Sequence, residues 1–346
     1  MDNNQQEPVK QAEEILEKTS KSSLLKKILS IAIPLGLGIL ILWFLYRDTD
    51  FEQMWSIIKD ANYGILAFSL LFGLLGNTIR GYRWKTIITP LGYDPKPSNL
   101  IFAVYGNYAV NFALPRAGEI WRCGVVSKDE KIPFVKLFGT VIIDRLLDTL
   151  TVLLISILAF FLNMEFFLQY LKQNQELFDK VLSYVTSPLP YIAVVVFVGA
   201  IVLIFKVFKN NAIIIKIKDF FIGIGKDMKA IWKMKQKKRL FLYSFLIWLS
   251  YFLYFYITFF AFDFTKDLGF AAGLFVFAIS SISMGVPSNG GLGPWQATVF
   301  FGLCAFMVDS EQAKAFATAV FTVQSVWVIL CGLFGIFALA VKNRGK

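Results

Sequence analysis

Three groups of residues in this chain have the types and spacing to handle a charged ligand. Arg116, Glu119 and Arg122 follow Pro115 at i, i+3 and i+6. On a helix begun by Pro115 they lie roughly along one face. Arginine offers phosphate oxygens a planar fork and stays charged where water is scarce. Glu119 would either hold one arginine in place or exchange ionic partners during a conformational cycle. Asp144, Arg145 and Asp148 interrupt a long apolar run. At i, i+4 the two aspartates share a face, and Arg145 reaches Asp148 at i+3. Gly290, Gly291 and Gly293 lie between Pro287 and Pro294, so no continuous helix passes there. Free amides at such a break suit an anionic group. Each group has a plainer alternative: an interfacial salt-bridge ladder, a charge network that only pins helices, and a tight external turn.

The surroundings restrict the chemistry further. The chain has no histidine, hence neither the commonest general base nor the usual transition-metal ligand. Cys123, Cys304 and Cys331 are widely spaced with no C-x-x-C pair, and read as small apolar packers. Of 346 residues, 56% are hydrophobic and 17% charged, with mean hydropathy +0.60. That composition leaves too little polar surface for a soluble protein of this length. The net charge of +11 sits in short loops between apolar runs, which points to membrane orientation and anionic headgroups rather than nucleic acid. No cofactor or metal is implied.

The elements that must position these residues are membrane helices. The expected fold is an all-α polytopic membrane protein. Six runs are long enough to span, at roughly 28–46, 62–80, 137–162, 190–208, 240–262 and 316–341. Residues 1–27 read as a polar cytoplasmic tail without a cleavable signal, so the first run is an uncleaved anchor. Basic residues concentrate before the first run, after the second, in the loop 206–239 with its eleven lysines and arginines, and in 342–346. Both termini are therefore expected in the cytoplasm, in a bacterial or archaeal cell membrane. Arg80, Arg83, Trp84 and Lys85 close the second run, where such residues ordinarily anchor at the membrane boundary; Arg83 is retained as a site candidate. Asn77, Asn107, Asn111 and Gln324 are intramembrane polar groups expected to bond across helices. Asn111 is also a site candidate.

Two remaining segments, 98–126 and 269–307, each hold two short apolar arms around a break. Loop charge puts the ends of the first inside and those of the second outside, so each is a re-entrant hairpin or a pair of short spans. Residues 28–163 and 190–341 then share one order, two spans, a broken hairpin and a third span, joined by an external connection at 164–189. This is the hydropathy outline of an inverted repeat, a plan that transporters use to build a midplane site. The halves share no visible identity.

Read together, N-x-x-x-P-R-x-G-E-x-x-R (Asn111 to Arg122), L-F-G-T-V-I-I-D-R-L-L-D (ending at Asp148) and P-x-x-G-G-L-G (Pro287 to Gly293) resemble the transmembrane domain of the lysylphosphatidylglycerol synthase/flippase family. The resemblance implies a lipid-translocating domain. In two-part members the membrane domain moves an aminoacylated phospholipid, and a soluble domain makes that lipid from charged tRNA. This chain stops at Lys346, so lipid aminoacylation is not expected. The family's usual glutamate after the glycine turn is here Gln296, which keeps hydrogen bonding and loses charge. The expected function is a flippase-like transporter for a lipid with an anionic headgroup, an anionic phospholipid or a lipid-linked phosphate. A membrane-embedded lipid-phosphate transferase is the alternative, and a non-transporting companion of a lipid-modifying enzyme is a third. A second copy of the chain or a separate lipid-modifying enzyme are the protein partners anticipated.

Overall fold

A computed structural model describes residues 32–173 and 235–342, with scattered positions between 179 and 206. Among the described residues all regular structure is helical. We number the helices α1 (Ala32–Tyr46), α2 (Phe51–Lys59), α3 (Tyr63–Ile88), α4 (Pro97–Ala113), α5 (Ala117–Glu130), α6 (Phe134–Leu162), α7 (Met164–Gln173), α8 (Lys237–Tyr256), α9 (Gly269–Ser283), α10 (Pro294–Ala305) and α11 (Ser310–Lys342). Residues 32–156 and 242–342 make one compact unit, which holds every candidate site residue; the described residues between 157 and 241 belong to another.

Four helices are long and apolar enough to cross a membrane: α3 with its 3-10 extension to Leu91, α6, α8 with its extension to Ala261, and α11. A fifth is counted if α1 and α2 are one span, although the chain bends by 96° between them. Six long spans are therefore not what the described residues contain. The first run stops at Tyr46, and Asp50 then starts α2, its side chain accepting from the amides of Glu52 and Gln53. The run at 190–208 and the basic loop fall largely outside the described residues. In α6 and α11 only 17% of the apolar window is buried in protein. In water that exposure would be ruinous, and in lipid it is ordinary.

The second span is longer than its apolar run. α3 continues to Ile88 through Arg80, Arg83 and Trp84, all fully buried. They are not boundary anchors, because aspartates on α6 meet the two guanidiniums inside the bundle.

Both broken segments are helical hairpins. Polar pairs fix the register of α4 against α5. Asn99 donates to Glu130 (2.5 Å) and the amide of Gly118 donates to Asn111 Oδ1 (2.8 Å). Both pairs belong to one antiparallel alignment, which also sets Ala103 opposite Val126 and Asn107 opposite Arg122, all four buried. Their fourfold spacing puts them on one stripe of each helix. Close approach requires Gly118, since a Cβ there would lie 2.1 Å from the Asn107 carbonyl oxygen. Lys342, at the end of α11, ties the base of this hairpin by donating to Ser98 and Asn99.

In the second hairpin, α9 and α10 flank a break in which Gly290, Gly291 and Gly293 have φ of 62°, 91° and 88°. Left-handed backbone there is why glycine recurs. The order long helix, broken hairpin, long helix occurs twice, as α3–α6 and as α8–α11.

Candidate functional site

The site grows from α3 and α6. Arg80 and Arg83 stand one turn apart on α3 and face Asp144 and Asp148, one turn apart on α6. Arg80 Nη1 donates to Asp148 Oδ2 (2.6 Å) and Asp144 Oδ2 (3.3 Å). Arg83 Nη2 donates to Asp144 Oδ1 (2.6 Å) and Asp148 Oδ1 (2.7 Å), and its Nε to Asp144 Oδ1 (2.9 Å). Both arginines and both aspartates are buried. Such charges are tolerable away from water only with this density of paired hydrogen bonds.

From α5, Arg122 joins at longer range. Its Nη2 donates to Asp144 Oδ2 (3.2 Å), while its guanidinium lies over Trp84, 4.7 Å from the ring centroid. Trp84 is held by its indole N–H on Thr140 Oγ1 (2.8 Å). On the other flank α8 contributes Ser244 to Arg83, Trp248 to Asp148, and Tyr251 to Arg80. Tyr251 also donates to Asn77 (2.7 Å) and meets the Tyr108 hydroxyl (3.1 Å).

Toward the tip of the first hairpin the charges become partly exposed. Arg145 pairs with Glu119 (3.2 Å) and approaches Asp148 (3.6 Å), with side-chain exposures of 40% for Arg145 and 22% for Glu119. The network thus holds four arginines (Arg80, Arg83, Arg122, Arg145) and three carboxylates (Glu119, Asp144, Asp148), a formal excess of one positive charge. Three of its buried donors have no partner, Arg122 Nε and Nη1 and Arg145 Nε, and neither the Nδ2 donor nor the Oδ1 acceptor of nearby Asn107 is partnered.

One turn beyond Glu119 the two breaks meet. Arg116 Nη2 donates to the Gly285 carbonyl (3.1 Å) and Asn289 Nδ2 donates to the Phe112 carbonyl (3.1 Å). A Cβ on Gly290 would strike the Phe112 ring at 2.3 Å, so the tips are in intimate contact. Helix α1 closes over the second break, where a Cβ on Gly293 would lie 2.6 Å from the Gly38 carbonyl oxygen.

The one-face ladder expected for Arg116, Glu119 and Arg122 is corrected by this geometry. α5 begins at Ala117, and Arg116 is its cap with φ 62°, so its exposed side chain leaves the helix direction while Arg122 points into the core. Gln296, in the first turn of α10, accepts through Oε1 from the Gly293 amide (2.9 Å), and Asn111 on α4 accepts from the Gly118 amide in the first turn of α5. Arg80, Tyr108, Tyr251 and Trp248 are site residues that sequence reasoning missed. The available signal was the i, i+3 arginine pair in an apolar helix, matching the aspartate pair in another.

A family model described as the lysylphosphatidylglycerol synthase TM region matches residues 29–332. The chain belongs to that family. Among relatives of this lysylphosphatidylglycerol synthase-type membrane region are a glycosyltransferase, AglD, of Haloferax volcanii and a UPF0104 membrane protein, MJ1595, of Methanocaldococcus jannaschii. The first is 28% identical over 124 residues, covering 36% of this chain and 20% of the relative. The second is 32% identical over 128 residues, covering 36% of this chain and 38% of the relative. The chain thus matches well under half the length of either. No solved structure matches.

Proposed function

We propose that this protein is a flippase-like transporter that moves a lipid with an anionic, phosphate-bearing headgroup between leaflets. The observation that carries the reading is the buried, net-positive arginine network with spare donors, whose partly exposed Arg145–Glu119 pair lies beside the junction of two broken hairpins. A headgroup cannot cross hydrocarbon unaided because its charge loses hydration, and a polar groove lowers that cost. Irregular backbone at membrane depth is tolerated where it lines such a groove.

In this reading Arg116, at the tip, meets the phosphate first. Glu119 and Arg145 exchange partners as it advances, and Arg122, the least engaged of the buried guanidiniums, receives it opposite Asn107. Asp144 and Asp148 hold Arg80 and Arg83 as a fixed floor. The Gly290–Gly293 break is the opposing gate. The repeated order of helices is taken as an inverted repeat about this site, with both termini cytoplasmic and the halves 28–163 and 190–341 as its units.

The test is reconstitution. Purified protein in vesicles should accelerate translocation of a labelled anionic phospholipid, and Arg116→Ala should slow it while the fold is kept. Unchanged translocation in that variant removes Arg116 from the mechanism. The glycosyltransferase among the relatives favours a second reading, a membrane-embedded lipid-phosphate transferase. Conversion of the lipid by the purified protein would support that reading, vectorial movement without conversion the transporter, and neither a companion of another enzyme.

A further inference from the structure

Away from the charge network, α1, α10 and the start of α11 enclose a groove of about 660 Å³. Leu40 and Phe44 of α1 face Phe300 and Phe301 of α10, and Glu311 and Lys314 of α11 stand at the polar end with Asp48. The volume lies within the roughly 300–1,000 Å³ that accommodates a whole small ligand. Its apolar walls are exposed at Leu40, Phe44 and Phe301, so in a bilayer they face acyl chains.

Apolar walls alone select nothing there, because lipid tails are as apolar as the side chains they would leave. Selectivity has to come from the polar end. Lys314 is buried (6% exposed), and its ammonium donates to Glu311 Oε1 (2.8 Å). A lysine near a membrane boundary ordinarily reaches for water; here it is held inside by its carboxylate. The other oxygen, Glu311 Oε2, is buried and has no hydrogen-bond partner. A buried ion pair is tolerated when its remaining lone pairs are satisfied, and the flat torsional preference of a carboxylate lets Oε2 turn to a donor in the groove. Nearby Asp48 pairs with Arg47 (3.0 Å), and Asp309 caps α11 through the amides of Glu311 and Gln312. Asp48 and Asp309 are open to solvent, whereas the free oxygen of Glu311 is shielded from it, so Glu311 is the acceptor in need of a donor, with Lys314 as the cation beside it.

We infer that this groove binds one phospholipid with a primary ammonium in its head: the tail between α1 and α10, the phosphate toward Lys314, and the ammonium N–H on Glu311 Oε2. The complementary order of charges, cation beside anion in site and head alike, favours a zwitterionic lipid over an anionic one. This site is distinct from the arginine network and does not depend on the translocation reading.

The experiment uses the full-length protein in phosphatidylcholine vesicles with a phosphatidylethanolamine carrying a photoreactive diazirine in its acyl chain. Crosslinks are expected at 40–45 and 297–301. Unlabelled phosphatidylethanolamine should compete about ten-fold better than phosphatidylcholine, which has the same net charge and no ammonium N–H, as befits one charge-assisted hydrogen bond. Glu311→Gln should erase that preference while leaving tail labelling. Because Glu311→Gln strands the Lys314 charge, Glu311→Gln/Lys314→Met, which removes both charges together, is measured alongside and should lose the preference equally. Equal competition by the two lipids in the wild type marks the groove as ordinary lipid contact and overturns the inference. So does preferential competition by phosphatidylglycerol, or a preference that survives in either folded variant.

Discussion

Substituting Asp144 by asparagine probes the buried network most severely. Asp144 accepts from Arg80, Arg83 and Arg122 at 2.6 to 3.3 Å and is fully buried. Asparagine keeps the shape, yet it removes the charge and turns an amide N–H toward guanidiniums that can only donate. The formal excess of the cluster rises from one positive charge to two. Removing one partner of a buried ion pair costs about 3–5 kcal/mol. At about 2–4 °C per kcal/mol for a unit of this size, the unfolding midpoint of purified Asp144→Asn should fall by roughly 6–20 °C. Thermal unfolding in detergent, followed by tryptophan fluorescence, reads this directly. A second arm restores the charge balance. Arg83→Leu/Asp144→Leu removes one cation and one anion, and apolar replacement of a buried pair is often nearly neutral. The double variant should recover at least half of the loss. A shift under about 2 °C in Asp144→Asn would refute the reasoning, since it would mean that water already screens these charges. Equally damaging is a double variant no better than the sum of its parts, which would mean that the groups are uncoupled.

Other outcomes follow from particular contacts. Gly118→Ala puts a methyl group against the Asn107 carbonyl oxygen and should cost about 1–3 kcal/mol or more, with visibly poorer yield of folded protein. Arg116→Ala removes one exposed hydrogen bond, so its unfolding midpoint should stay close to wild type while translocation falls; a collapse in stability would recast Arg116 as a structural tie. Gln296→Leu should lose about 1 kcal/mol with the cap on α10, as its thermal unfolding would establish.

Much of this arrangement was legible in the chain, and the rest was hidden for physical reasons. Asp144 and Asp148 at i, i+4 in an apolar run announced buried partners, and Pro115 and the Pro287–Pro294 glycines announced the breaks. Hydropathy under-read α3, because the run falls in apolarity at Arg80 although the helix continues; neutralisation by a helix more than sixty residues away leaves no local trace. Arg116 escaped its expected face because one residue in the left-handed region redirects a side chain, and periodicity assumes unbroken helix. The tip-to-tip contact of the hairpins through Asn289 and Phe112 is long-range packing, which spacing within either segment does not encode. The bend after Tyr46 was similarly invisible in apolar length, though Asp50 stood there as a helix start.

Headgroup movement itself is the claim to measure. Vesicles bearing the purified wild-type protein, loaded with a fluorescent phosphatidylglycerol and exposed to an impermeant quencher, should lose signal from the inner leaflet as well as the outer, with the lipid chemically unchanged. Arg122→Gln vesicles should lose only the outer signal. If wild-type vesicles keep their inner-leaflet fluorescence as protein-free vesicles do, the arginine network is an internal brace and the transport account fails.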